Sequence, residues 1–370
     1  GSLFLAPLVD KIGRRSLLLI AVSLSAIGML GSAFVASSFA LGFWRAITGI
    51  GVGAILVGTN VITSEYSSRK WRSVAISIYA AGFGLGAVLG GMFANVLQFE
   101  YGWRAVFLAG AILTGLFLIV LWIWLPESID FLTDKQPPNA KIRLNRIMAK
   151  IGLKGEWELP PKSEQKIAHF PFTQLFGVQY LRSTILIWLA FFAIMFSFYL
   201  VNSWTPALLK DAGMTIEQGN GVGMMISLGG TIGSLFYGML ASKWNARNVL
   251  VLFTIATAIA IIIFILSSGT LWLAMVFGIM VGALMNGCIS GLYTLNPSIY
   301  ATDIRSTGVG WSIGIGRLGA ILAPTIAGQL LDSGWNKQSL YTAVAFIMLI
   351  STVSLFLLQS KSAVKKSSVF

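Results

Sequence analysis

Cysteine and histidine are almost absent from the chain: Cys288 and His169 are the only residues of each type among 370. A single cysteine closes no disulfide within one chain, and one cysteine plus one histidine cannot assemble a metal site. No cofactor, no metal and no catalytic residue are therefore expected. Cys288 is expected among packed helices and His169 in a loop. Charge is scarce too: 11% of residues are charged, against about 25% in soluble domains. Acidic residues are the scarcer sign, 13 against 26 basic, which leaves a net charge of +13. Clustered, that surplus would suit nucleic acid. Here it is scattered between apolar runs of about 20 residues, the length that crosses a bilayer, so no nucleic-acid partner is implied. With 56% hydrophobic residues, the chain reads as an all-α polytopic membrane protein whose surroundings are the lipid bilayer.

The apolar runs predict spans near 16–36, 41–63, 74–97 and 105–125, then a polar stretch, then six more near 184–208, 219–241, 248–268, 271–293, 306–331 and 338–358. If the loop at Asp10 to Arg15 is cytoplasmic, only Arg104, Lys210 and Lys337 face outward, and only Arg45 and Arg317 lie within spans. The remaining basic residues, including Lys361, Lys365 and Lys366 of the tail, then fall on the cytoplasmic side, which sets the orientation. The expected domains are an N-terminal helix bundle over 1–125, a cytoplasmic linker over 126–182, a six-helix bundle over 183–358 and a cytoplasmic tail over 359–370. In the linker, Asn139 is expected to cap a basic amphipathic helix with Ile142, Ile147, Met148 and Ile151 against Lys141, Arg143, Arg146 and Lys150. Such a helix lies on an anionic leaflet or stands as a solvated connector.

Two sequence echoes repeat at nearly one offset. Glu65-Tyr66 followed by Arg72-Ser73 recurs as Ile299-Tyr300 followed by Arg305-Ser306, and the stretch from Asp10 to Arg15 has a worn counterpart from Ser242 to Arg247. Duplicated halves in parallel orientation are an arrangement of transporters, with the site between the halves. By that symmetry the first half should also have six helices. The apolar run from Gly1 to Val9 is half a span long, so one whole helix and about half of another are expected to be missing before it.

Arg45 and Arg317 are the two intramembrane charges, and a charge within a span costs roughly 2.5 to 3.5 kcal/mol on insertion scales. Arg45 lies near one end of its span, where a guanidinium either has a partner or reaches the headgroups. Gly49, Gly51, Gly53 and Gly58 follow it and are expected to line one close helix contact. Arg317 is about eleven residues into its span, roughly 16 Å deep. Flanked by Gly314, Gly316, Gly319 and Pro324, it is expected to present a cation to a cavity, where its planar fork suits a carboxylate; the alternative is a structural ion pair. Tyr79, Phe83, Phe198, Tyr199, Asn202, Asn286 and Trp311 are candidates to line a binding pocket with it. Pro206, in the polar stretch from Asn202, predicts a helix break that serves as a gate. A second constellation, Asp10, Arg14, Glu65, Arg69, Arg72 and Arg305, is expected to form a reversible surface latch of pairs worth about 0 to 1 kcal/mol each.

Carried by these residues, the chain resembles the major facilitator superfamily over essentially its whole length. Pro7 to Arg15 looks like the loop signature between the second and third helices, with Ala6 in place of the usual glycine. Arg45 with Gly49, Gly51 and Gly53 resembles the fourth-helix motif. Gly82, Gly86, Gly90 and Gly91 resemble the fifth-helix motif, with Ala87 where antiporters have proline, which leans towards a symporter. The run from Tyr300 to Ile321, the run from Asn202 to Gly213 and Pro126-Glu127-Ser128 are similar to the aromatic acid:proton symporters.

That resemblance implies two six-helix halves, the first helix and part of the second missing, and proton-coupled uptake of a benzoate-like, hydroxybenzoate-like or muconate-type carboxylate by alternating access. It implies a monomer in the plasma (inner) membrane. Asp10, Arg45, Glu65, Arg305 and Arg317 match family positions associated with transport. The family's aspartate-bearing first-helix motif does not occur in this sequence, and the proton-coupling carboxylate is expected there. Porters for other organic ions or sugars share parts of these motifs, and a membrane receptor that binds without moving its ligand is the reading from another class.

Overall fold

The computed structural model describes residues 1–68, 70–150, 152–153, 155–160, 171–211, 213–302 and 304–358, with a few helical side chains, Asp10 among them, outside the description. Arg69, Ile151, His169 and the tail lysines lie outside the described residues. The ordered elements are helical. After a short α1 (Ala6–Ile12) come four long helices: α2 (Arg14–Ala33), α3 (Ser38–Tyr66), α4 (Arg72–Tyr101) and α5 (Trp103–Trp124). Three short ones, α6 (Ile129–Lys135), α7 (Ala140–Lys150) and α8 (Pro171–Gln174), lead to six more long ones. These are α9 (Leu181–Asp211), α10 (Ile216–Lys243), α11 (Ala246–Ser267), α12 (Leu271–Ile299), α13 (Arg305–Asp332) and α14 (Lys337–Leu357). Among the described residues ten helices are long and apolar enough to cross a membrane, and each coincides with a span expected from hydropathy.

The chain divides into two compact units: Gly1–Arg69, Leu85–Leu175 and Tyr300–Gly314 form the first, and Lys70–Gly84, Phe176–Ile299 and Ile315–Phe370 the second. In the first unit, the expected loop at Asp10–Arg15 shrinks to one residue. Asp10 to Ile12 complete α1, Gly13 turns the chain at φ 97°, and Arg14 already begins α2. Only glycine fits there, because a Cβ would lie 2.4 Å from the Glu127 carboxylate as well as in the left-handed region. Glycine supplies no capping side chain, so a remote residue does: Glu127 Oε1 accepts from the backbone N–H groups of Arg14 (2.8 Å) and Arg15 (3.1 Å). A carboxylate at this helix start satisfies two orphan donors and opposes the positive end of the macrodipole.

The glycines of α3 do not share one contact, as their spacing suggested. Gly51 and Gly58 meet α2, a Cβ at Gly51 falling 2.5 Å from the Ala21 carbonyl oxygen, whereas Gly53 faces Ser2 and Gly49 faces open space. Residues two apart on a helix point to different sides, so four glycines in ten residues cannot all serve one neighbour. The linker helix α7 also departs from expectation. Leu144 and Ile147 are buried against Leu132 of α6, while Ile142 is exposed. The part of the apolar face of α7 made by Ala140, Leu144 and Ile147 is thus already covered by protein.

In the second unit α10 and α12 approach backbone to backbone. A Cβ at Gly229 or Gly233 would overlap the carbonyls of Ile279 or Ala283, and one at Gly282 that of Ile226. Membrane helices have little hydrophobic force to drive them together, so such small-residue contacts provide the packing. The first half of α4 joins this unit through Ser73 Oγ, which donates to the Ala241 carbonyl (3.3 Å). Helix α9 does not break at Pro206 but continues to Asp211. Thr205 bridges the Val201 carbonyl and the Tyr341 hydroxyl on α14 (both 2.5 Å), and Gly219 leaves room for the Pro206 backbone. Proline removes one helical hydrogen bond, and these neighbours hold the helix across the gap.

Candidate functional site

Glycine spacing on α13 creates the first candidate site. A Cβ at Gly319 would stand 2.6 Å from the Phe192 carbonyl oxygen, and one at Gly316 would press on Met195 and Phe191, so α13 lies close against α9. Between these glycines, Arg317 projects to the Tyr199 hydroxyl, to which its Nη1 donates at 2.6 Å. The guanidinium carbon is 5.9 Å from the same ring's centroid. The phenols of Tyr293 on α12 and Tyr79 on α4 also act electrostatically on Arg317. Tyr293 lies between Tyr79 and Phe191, with ring centroids 6.1 Å away on each side. Three helices of the second unit, α4, α9 and α12, thus surround the one cation of α13 with phenols. Among the described residues no carboxylate lies within ion-pair distance of it.

The second cluster, in the first unit, has the opposite balance. Arg14 reaches across to Glu65 with Nε and Nη2 (3.2 and 3.1 Å), a paired contact in which both side chains are only 1% exposed. Arg305 Nη1 donates to Glu65 (2.8 Å) and to Asp130 (2.9 Å), Ser128 Oγ donates to Glu65 (2.5 Å), and Thr302 accepts from both arginines. Tyr66 closes the group by donating to the Glu127 carbonyl (2.6 Å). A surface latch was expected; the core of this network is buried, because α6 brings Ser128 over Glu65 and sets the Phe131 ring 5.5 Å from the Arg14 guanidinium. Buried pairs are costly to break, unlike exposed ones.

The family profile of the Major Facilitator Superfamily matches residues 1–233 and 220–369. The chain belongs to the major facilitator superfamily. It is 34% identical over 350 residues to a protein of Pseudomonas putida named gallate transporter, a match covering 92% of this chain and 76% of that one. To the 4-hydroxybenzoate transporter PcaK of Pseudomonas putida it is 30% identical over 355 residues, covering 95% and 79%. Among solved structures, the proton:xylose symporter XylE bound to 6-bromo-6-deoxy-D-glucose superposes with a TM-score of 0.76 at 17% identity, covering 96% of this chain and 82% of that one. At that identity the likeness speaks for the fold. With ten candidate spans, this superfamily member is a multi-pass membrane protein.

Of the expected pocket residues, Arg317, Tyr199 and Tyr79 come together. Phe83 and Asn202 are exposed, and Asn286 spends its amide on the Gly282 carbonyl of its own helix (3.2 Å) at the crossing with Gly230. Trp311 belongs to the first unit, where its ring lies 4.3 Å from that of Phe172. Arg45 is exposed, its guanidinium 5.5 Å from the Phe107 ring on α5. Phe198 stands edge-on to Tyr199. Of the expected latch, Arg14, Glu65 and Arg305 are joined, Arg72 belongs to the second unit, and the Asp10 side chain lies outside the description. Sequence reading missed Tyr293 and Asp130. A tyrosine at the end of an apolar span was a signal for the first; for the second, Ser128 caps α6 through the Phe131 N–H (3.3 Å), a serine two residues before an aspartate after Pro126.

Proposed function

We propose that this protein imports an aromatic or closely related carboxylate together with protons by alternating access, with Arg317 as the electrostatic anchor. The observation that carries this reading is a guanidinium on α13 surrounded by phenols from three other helices, with no carboxylate beside it among the described residues. A cation held that way in a low-dielectric region is completed by an anion. Only Nη1 is committed to Tyr199, so the guanidinium keeps a planar face of donors for a carboxylate fork. Tyr199 accepts from Arg317 through its oxygen, and its own proton remains to be donated to the same anion. The packed rings of Tyr199, Tyr293 and Tyr79 beside the guanidinium give the cation the aromatic surroundings that suit an aromatic substrate.

The names of the gallate and 4-hydroxybenzoate transporters support an aromatic acid as cargo, and Ala87 in the fifth-helix motif supports symport. The protein acts as a monomer in the inner membrane, its linker and C-terminus cytoplasmic, and performs no enzymatic reaction. Uptake of labelled 4-hydroxybenzoate and gallate into proteoliposomes under an imposed pH gradient tests the reading. Accumulation that collapses on adding a protonophore is the expected result. Binding without accumulation makes the protein a receptor, and uptake of a neutral sugar in preference to both acids overturns the carboxylate assignment.

A further inference from the structure

Helices α11 and α14 pack along one another, yet their outward face is not filled. Ala258 and Ala345, 5% and 6% exposed, form the floor of a slot whose walls are Ile259 and Phe346, 56% and 64% exposed. The resulting cavity is about 350 Å³ and almost wholly apolar. Taking the ~30 Å³ of a water as the unit, it has room for on the order of ten methylene-sized groups. Its lining on α14 runs from Thr342 to Leu349, seven residues or about 10 Å along the axis. That is most of one leaflet's share of a hydrocarbon core about 30 Å thick.

Beside this slot lies a second cleft of about 600 Å³, which shares Thr342 and Phe346 with it and is otherwise lined mostly by polar or interfacial groups, among them Trp335, Asn336, Gln338 and Ser339. Tryptophan and neutral polar groups at a span's end are the composition of the headgroup level. Small residues in the slot, tryptophan and amides in the cleft, and Thr342 and Phe346 shared between them fit a molecule that is apolar at one end and polar at the other.

We infer that the α11–α14 face is a binding site for one glycerophospholipid, an acyl chain lying in the Ala258–Ala345 slot and the headgroup resting against Trp335, Asn336, Gln338 and Ser339. Among the described residues the lining of both cavities is uncharged, and Lys337, which interrupts the headgroup stretch, turns its Nζ to Ser268 Oγ (3.4 Å), so the site reads chain and interface and not headgroup charge. The site is independent of the transport reading.

Native mass spectrometry of the full chain, released from detergent and titrated with dioleoylphosphatidylglycerol or dioleoylphosphatidylcholine, tests this. One tightly retained lipid per chain is expected, with both headgroups equivalent within about twofold. Ala345→Phe fills the slot and should lower lipid retention at least tenfold. Phe346→Ala removes an exposed wall without touching the packed interior and should lower it several-fold, which keeps the test valid if the first variant folds poorly. Equal retention by wild type and Phe346→Ala overturns the proposal, as does a mass equal to two chains that disappears in the variant, since the face would then bind a second copy.

Discussion

The two charge clusters of this chain are built from the same side chain to opposite ends. Around Glu65, two arginines and a second carboxylate neutralise one another, and Ser128 and Thr302 complete their hydrogen bonds. Around Arg317, phenols contribute dipoles but no net negative charge. A balanced cluster has little to gain from a ligand and much to lose from a deletion; a cluster one charge short has the reverse profile. The difference separates residues that hold structure from residues that await substrate, and mutation can test it from either side.

The largest effect is expected at the unbalanced site. Arg317→Ala removes the anion's partner and should lower uptake of 4-hydroxybenzoate by about 2 to 5 kcal/mol of interaction, roughly thirtyfold to several thousandfold. The melting temperature in detergent should stay near wild type, since the residue closes no ion pair among the described residues. Lysine should restore little, because a point charge does not reproduce the fork. Normal transport by the alanine variant would remove Arg317 from the site.

Glu65→Gln should show the converse. It strands Arg14, whose side chain is 1% exposed, and Arg305, at 18%, and breaking a buried pair in this way costs about 3 to 5 kcal/mol. A clear drop in melting temperature is expected, accompanied by altered thiol labelling at Ser68→Cys, an exposed position three residues beyond the network. An unchanged melting temperature together with unchanged labelling would reduce Glu65 to a topology signal.

Tyr199→Phe acts between these extremes. It keeps the ring and deletes one hydrogen bond to a cation, worth about 1.5 to 3 kcal/mol, or roughly ten- to 150-fold. The loss should appear in KM more than in maximal rate, since the hydroxyl meets substrate before any movement. A fall in maximal rate at constant KM would place Tyr199 in the conformational step instead.

How legible these clusters were follows from the range of their interactions. Every span could be read from hydropathy, because the requirement for about 20 apolar residues is local. Arg317 could be read as well: a mid-span arginine between glycines is conspicuous, and those glycines are what bring α13 against α9. Its partner Tyr293 was hidden because a tyrosine within Leu271–Ile299 reads as packing until the fold places it. Pro206 misled for a related reason, since a proline announces a lost hydrogen bond but not the Thr205–Tyr341 contact that spans it. The burial of Arg14 and Glu65 depended on α6, seven residues after a proline that leave no hydropathy trace.

Asp130 shows how far the balanced cluster extends. It belongs to the Glu65 network through Arg305 Nη1 (2.9 Å), yet its side chain is 41% exposed where that of Glu65 is 1%. Water and salt screen such a pair, and exposed pairs contribute about 0 to 1 kcal/mol. Asp130→Asn also keeps an acceptor oxygen in place, and Arg305 retains Glu65. The melting temperature should therefore fall slightly or not at all, the small difference should vanish in high salt, and uptake should stay within about twofold of wild type on the same scale. A loss as large as that of Glu65→Gln would mean that Asp130 is desolvated in a state of the transport cycle other than this one, and would move it from the rim of the network to its moving part.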